Sequence, residues 1–182
     1  MCPEIFITSI GQDSHRYIDV SSARTASDAN KQIEEVGKTL VLGGVEFPDL
    51  PGFIANSDGD VILHAICNAI SGLTGKPVLG SRADELCKAG YKDSRKYLEL
   101  ALADLAADSR TFTLHHLSIS IEGKRPKFAP IQAEICRSVA KLLGLKEDNV
   151  CLTATSGEDL SSFGRGEGLN CICLLSASYL AK

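Results

Sequence analysis

The sequence predicts an α+β protein in which helices cover one face of a mixed β-sheet. Three observations carry this expectation. Short β-branched or alternating runs at residues 5–10, 40–45, 111–121, 149–154 and 169–175 read as strands, and segments of helical period fall between them. The resulting order is β-β-α-α-α-β-α-β-β, with no succession of strands long enough for a sandwich. A length of 182 residues suits one compact domain spanning 1–182, able to bury roughly 70% of its unfolded surface without metal or disulfide staples.

Composition narrows the function. A formal charge of −4 leaves no basic excess to attract nucleic acid and no polybasic tail for a membrane surface. No apolar run reaches the ~18 residues of a spanning helix, and the first twenty residues lack the charged-then-apolar order of a secretory signal, so a cytoplasmic chain is expected. The seven cysteines are odd in number and contain no C-x-x-C pair, which argues against both a disulfide framework and a thiolate zinc knuckle. Cys171 and Cys173, two apart, share a strand face and read as small core hydrophobes.

Along the chain, strand 5–10 feeds into Gly11-Gln12-Asp13-Ser14-His15. Asp13 and His15 then share a face and can point at one ion, and a third ligand from elsewhere would complete a zinc site with an open position. Asp-x-His also occurs by chance in loops. Residues 18–38 are small and polar and read as a loop insertion. Residues 40–45 form a strand broken by Gly43 and Gly44, and a turn region around Pro48 and Pro51 then delivers the chain to Asn56. Ser57 is the expected N-cap of the next helix, with Asp60 three residues on as in a capping box and both Asp58 and Asp60 suited to the positive end of the helix dipole. Val61, Ile62, Ala65, Ile66, Ala69 and Ile70 make the core stripe, and His64 lies at its flank. On this stretch alone His64 is either a ligand or a half-buried histidine bonded to a neighbour.

Residues 72–80 read as a loop and 83–89 as a short helix; Asp93-Ser94-Arg95 opens a longer helix with a stripe through Leu98, Ala101, Leu102 and Leu105. Strand 111–121 alternates with one irregularity near His115-His116, two histidines on opposite faces that lack ligand-type neighbours and read as packed or solvated. Residues 122–130 form a proline-containing basic loop whose Lys124, Arg125 and Lys127 can face phosphate or simply water. An amphipathic helix, 131–143, stops at Gly144, and strand 149–154 ends in Thr155-Ser156-Gly157-Glu158, where hydroxyls and a turn beside a carboxylate suit phosphate oxygens and a hard cation. Gly164-Arg165-Gly166-Glu167-Gly168 precedes the last strand; its glycines suggest a tight approach of chains, with the two charges held together across an interface.

Asp13-Ser14-His15, Leu42-Gly43-Gly44-Val45, Ser57-Asp58-Gly59-Asp60-Val61 with His64, Asp93-Ser94-Arg95, Pro126-Lys127, Ala154-Thr155-Ser156 with Glu158, and Gly164-Arg165-Gly166-Glu167-Gly168 together resemble the 2-C-methyl-D-erythritol 2,4-cyclodiphosphate synthase family of the non-mevalonate isoprenoid pathway. The resemblance runs through nearly the whole chain in the right order, and S-D-G-D-V-x-x-H paired with a late G-R-G-E-G is specific to it. It implies a ferredoxin-like, cyclodiphosphate-synthase type of α+β fold and a homotrimer with active sites between subunits and an axial cavity for isoprenoid diphosphates. The implied reaction is cyclisation of 4-diphosphocytidyl-2-C-methyl-D-erythritol 2-phosphate with release of CMP, a phosphorus-oxygen lyase step. By the same resemblance, Asp13, His15 and His64 would hold Zn²⁺ or a similar divalent cation, and Glu158 would hold a Mg²⁺ or Mn²⁺ bridging the substrate diphosphate. Ser156 would donate to the charge growing on phosphorus, while Gly123, Lys127, Phe128 and Ala129 with Ala154, Thr155 and Ser156 match the nucleotide pocket, and Arg165 would lie on the axial cavity. Ser14, Ser57 and Phe163 fall at substrate-contacting positions.

The chain departs from the family in places. Asn56 stands where the family has a histidine, so it can donate a hydrogen bond to phosphate but not carry a positive charge. The erythritol-gripping loop is replaced by residues 77–84, in which Leu79 and Gly80 keep the loop's shape and Asp84 stands in for the diol-binding carboxylate; Phe163 sits one place late. These departures motivate an alternative: a trimeric metal and nucleotide- or isoprenoid-diphosphate binder whose catalysis has decayed. A zinc hydrolase would need a general base, and Asp58 and Asp60 are more simply groups that hold the helix or its ligand in place.

Overall fold

The computed structural model describes residues 3–18 and 38–181. Ten regular elements appear among them. Strands β1 (Glu4–Arg16), β2 (Thr39–Leu42) and β3 (Val45–Pro51) are followed by helices α1 (Val61–Thr74), α2 (Ser81–Lys88) and α3 (Ser94–Ala106). Then come β4 (Thr113–Glu122), α4 (Gln132–Leu143), β5 (Val150–Thr155) and β6 (Gly168–Leu180). The order β1-β6-β4-β5 makes one four-stranded sheet, antiparallel except for the β4–β5 pair, which is parallel because α4 crosses between those strands; β2 and β3 form a separate two-stranded sheet. The mixed α+β class predicted from sequence therefore holds. No helix among the described residues is long and apolar enough to cross a membrane.

Helices cover one sheet face. The inward residues Leu117, Ile119, Ile121, Leu152, Leu169, Cys171, Cys173 and Leu175 are buried, as strand alternation requires, and the two cysteines do share that face. On the other face Phe6 and Ile10 of β1 are 71% and 63% exposed and Leu174 of β6 is 45% exposed. Helix α1 lies directly over β1 and β6, and α3 packs on its outer side, which is why nearly every α1 residue from Val61 to Leu73 is buried and its apolar pattern is so broad.

The backbone of α1 presses unusually close to β1. A Cβ added at Gly11 would lie 1.9 Å from the Ala65 carbonyl oxygen and 2.6 Å from the Ala69 amide, and one at Gly72 would lie 2.3 Å from Ser9 Oγ. Only small residues fit this seam.

Four sequence expectations are corrected. The first and last strands are longer than their apolar runs, because all thirteen residues of β1 pair with β6 from Glu4 opposite Leu180 to Arg16 opposite Gly168. Asp13 and His15 thus lie on a paired strand. Residues 40–45 span a hairpin turn between two strands: Gly43 and Gly44 take φ of 62° and 78°, conformations glycine adopts freely, and Pro48 and Pro51 sit inside β3, which among the described residues has no second neighbour that would need their N–H groups. One strand is therefore added to the predicted order. The N-cap of α1 is Asp60, which accepts from Ile62 N and Leu63 N, while Ser57 Oγ is taken by Gly59 N in the turn before it. That helix also runs through Thr74 into the segment read as a loop and closes at Gly75.

The insertion expected at 18–38 lies outside the described residues except for its ends, Ile18, which is buried, and Lys38. The predicted irregularity in β4 is present as a register shift between Leu114 and His116. His115 Nε2 meets Ser178 Oγ at 2.6 Å.

Gly11→Ala is expected to lower stability by about 2–3 kcal/mol, because the methyl meets backbone rather than a movable side chain. Equilibrium denaturation of the purified chain measures it; an unchanged midpoint would show that the seam yields.

Candidate metal centre

Three elements converge at the end of β1. Alternation turns Asp13 and His15 inward, toward α1, and α1 places His64 one turn past its N-cap directly above them. The cap fixes that placement. Asp60 is fully buried and takes four backbone donors, Ile62 N at 3.1 Å, Leu63 N at 3.0 Å, Gly43 N at 2.9 Å and Gly44 N at 2.6 Å, so it ties the hairpin turn to the first turn of the helix.

Asp13 Oδ2 lies 2.9 Å from His64 Nδ1 and 3.0 Å from His15 Nε2, and the two ring nitrogens are 3.1 Å apart. This closed triangle suits one small cation. A tetrahedral ion with bonds of about 2.0–2.1 Å holds its ligand atoms about 3.3 Å apart, close to what is seen. Burial pushes the Asp13 carboxyl up, but the His15 and His64 imidazoles beside it outweigh that and hold it well below the usual carboxylate range. The Asp13, His15 and His64 group can therefore hold a metal ion.

The triangle opens into a cleft of about 510 Å³. Its rim is fixed by the end of β1: Ile54 N donates to Arg16 O at 2.8 Å, Ile18 N to Gly52 O at 3.0 Å, and Tyr17 stacks on Phe53 at 4.9 Å between centroids. Residues 54–57 are thereby carried past His15. Of the residues expected from sequence, Asn56, Ser57, Leu79, Gly80 and Asp84 line this cleft. Cys87 and Tyr97 line it too, and sequence reasoning missed both; Cys87 Sγ donates to the Asn56 carbonyl at 3.2 Å, and burial pushes the Tyr97 phenol up to about 12. No local pattern marks them, since each arrives on a helix whose own stripe explains it.

The expected nucleotide residues form a second, separate pocket of about 260 Å³. Gly123, Lys127, Phe128 and Ala129 from the loop after β4 face Ala154, Thr155 and Ser156 at the end of β5, with Gln132 and Lys124 beside them. The two pockets share no lining residue within one chain. Glu158 lies outside both, exposed, with φ of 46° and its carboxylate accepting from Ser156 Oγ. Ser14 alternates to the opposite, exposed side of β1 from Asp13 and His15. Phe163 is half-buried, its carbonyl bonded to Lys124 N at 3.2 Å. Arg165 bonds Glu167 at 3.1 Å within the same chain, and Arg16 reaches that carboxylate at 2.9 Å, so the expected Arg–Glu pair forms without a partner chain.

Fold and site together define an α+β protein built round a two-histidine, one-carboxylate group able to hold a metal ion, with a second pocket apart from it. The YgbB family profile matches residues 6–178, and the chain belongs to that family. It is 44% identical over 173 residues, 94% of this chain and 88% of the relative, to the 2-C-methyl-D-erythritol 2,4-cyclodiphosphate synthase of Chlamydia trachomatis serovar L2b. A solved structure of a synthase of that name superposes with a TM-score of 0.72 at 26% identity, covering 93% of this chain and 98% of that one. A Plasmodium falciparum IspF in complex with CDP has the same fold, with a TM-score of 0.71 at 22% identity over 97% of each chain.

Calorimetric titration is expected to give one divalent ion per chain at the Asp13, His15 and His64 group. Asp13→Ala is expected to abolish the site; undiminished binding would place the ion elsewhere.

Proposed function

We propose that the chain converts 4-diphosphocytidyl-2-C-methyl-D-erythritol 2-phosphate to 2-C-methyl-D-erythritol 2,4-cyclodiphosphate and CMP. The observation that carries this reading is the closed Asp13–His15–His64 triangle in a chain 44% identical, across 94% of its length, to a relative named for that product. In the reaction the 2-phosphate oxygen attacks the β-phosphorus, the bond from that phosphorus to the bridging oxygen breaks, and CMP leaves carrying that oxygen. No protein nucleophile is required. Both phosphates belong to one molecule, so the protein's contribution is to fold the substrate and meet the charge that develops.

A divalent cation on Asp13, His15 and His64, zinc in this reading, and a magnesium or manganese ion at Glu158 would polarise the phosphates and neutralise their charge. Asn56 and Ser57 at the rim would donate to the 2-phosphate, Leu79, Gly80 and Asp84 would hold the erythritol part, and Ser156 would donate to the five-coordinate phosphorus. Gly123, Lys127, Phe128, Ala129, Ala154 and Thr155 would seat the nucleotide.

Within one chain the cleft and the nucleotide pocket are separate, and this favours a homotrimer whose active sites each combine one chain's cleft with its neighbour's pocket. The apolar sheet face carrying Phe6, Ile10 and Leu174 gives the chains a surface to share, with Arg165 beside an axial cavity able to take an isoprenoid diphosphate. We read residues 1–182 as one domain, 18–38 as an insertion, and the protein as cytoplasmic.

With purified chain, Zn²⁺, Mg²⁺ and the authentic substrate, CMP release above background is expected, and His64→Ala should lose zinc and turnover together. Substrate bound but uncleaved by the wild type would instead mark a decayed binder. Asn56→His is expected to raise turnover by roughly 5- to 10-fold, the gain from making a neutral hydrogen bond to phosphate charge-assisted. Sedimentation should give one species of three chains; a monomer would overturn the shared-site arrangement.

A further inference from the structure

We propose that Ser94, held by Asp58, is the positioning residue that fixes the tautomer of His64 and so sets the affinity of the metal centre. The inference rests on the metal reading above and deepens it.

Ser94 is completely buried at the first position of α3, and its hydroxyl has one proton to give. That proton goes to Asp58 Oδ1, which also takes Asp60 N at 3.1 Å, while Asp58 Oδ2 takes Ser94 N at 2.9 Å. A carboxylate receiving three donors acts as acceptor only. Ser94 Oγ, with its proton spent, can therefore only accept from His64 Nε2, 2.9 Å away. Ser57 Oγ, the other hydroxyl near that nitrogen, is more distant at 3.4 Å and already receives Gly59 N.

The proton of neutral His64 is thus placed on Nε2, and Nδ1 is left with a bare lone pair. Nδ1 is the atom aimed at Asp13 Oδ2 and His15 Nε2. With the proton on Nε2, Nδ1 and the Asp13 carboxylate oxygen 2.9 Å away both present lone pairs to one point, so the hydrogen-bond chain that orients the ring also prepares the pair for a cation. The carboxylate at the far end of the Asp58–Ser94–His64 chain raises the basicity of the ligating nitrogen, as outer partners of metal-bound histidines do. Ser94 touches no substrate; it acts through His64.

Ser94→Ala removes one oxygen and keeps the N–H bonded to Asp58, so α3 stays anchored. Zinc affinity, measured against a competing chelator with the full-length chain, is expected to fall about 10- to 100-fold while the metal-free variant still unfolds in one cooperative transition. In ¹⁵N spectra of the metal-free wild type, neutral His64 should carry its proton on Nε2, and in Ser94→Ala the Nδ1–H form should appear beside it. Zinc affinity in Ser94→Ala within about threefold of wild type would overturn the proposal. So would an Nδ1–H tautomer in the wild type, a result available even if the variant misfolds. Failure of the wild type to bind zinc at all would instead remove the metal reading, and this inference with it.

Discussion

The closest constraint in the molecule is the contact between Gly11 of β1 and the backbone of α1 at Ala65 and Ala69. A side chain at residue 11 would drive the helix outward, and His64, next to Ala65, would move with it away from Asp13 and His15. The metal triangle has sides of 2.9–3.1 Å, so it tolerates little of that displacement. Small residues along the seam, Ser9 and Gly11 on the strand against Ala65, Ala69 and Gly72 on the helix, are what allow a strand carboxylate and a helix imidazole to share one ion.

Two carboxylates then lock the geometry from outside. Asp60 gathers the hairpin turn and the helix start around one buried group, and Asp58 joins the loop before α1 to the first turn of α3. Both satisfy backbone donors that a buried helix end would otherwise leave unpaired, and orphaned donors of that kind cost about 1–3 kcal/mol each. Neither faces the cleft as a reacting group. Their work is to hold His64 in both position and orientation, which an open metal site needs more than additional ligands.

Much of this was legible in the sequence, and the failures have identifiable causes. Asp13-x-His15 announced a shared strand face, and the stripe beginning at Val61 set His64 off from the core, because both periods are local. The convergence itself was not local: it depends on β1 pairing with β6 across the full length of both strands, and residues 11–16 and 176–180 carry no strong apolar alternation to show it. Ser57 looked like the cap because it precedes an acidic residue by three, yet Gly59, at φ of 77°, turns the chain so that the cap falls three residues later, at Asp60. The hairpin at Gly43-Gly44 was hidden by prolines that only a strand with one neighbour can accept. Ser94 was visible only as the opening of a helix, since its partners Asp58 and His64 lie 36 and 30 residues away. The roles proposed for Glu158 and the second pocket rest on family resemblance, because the geometry of one chain keeps both apart from the cleft.

The central claim is that Asp13, His15 and His64 hold one cation through named atoms. Anomalous diffraction at the zinc edge, from crystals of the full chain grown with zinc, addresses it directly. The expected result is a single strong peak about 2.0–2.2 Å from Asp13 Oδ2, His15 Nε2 and His64 Nδ1. A zinc-loaded protein whose peak lies away from those three atoms, or on the Nε2 side of His64, would contradict the account.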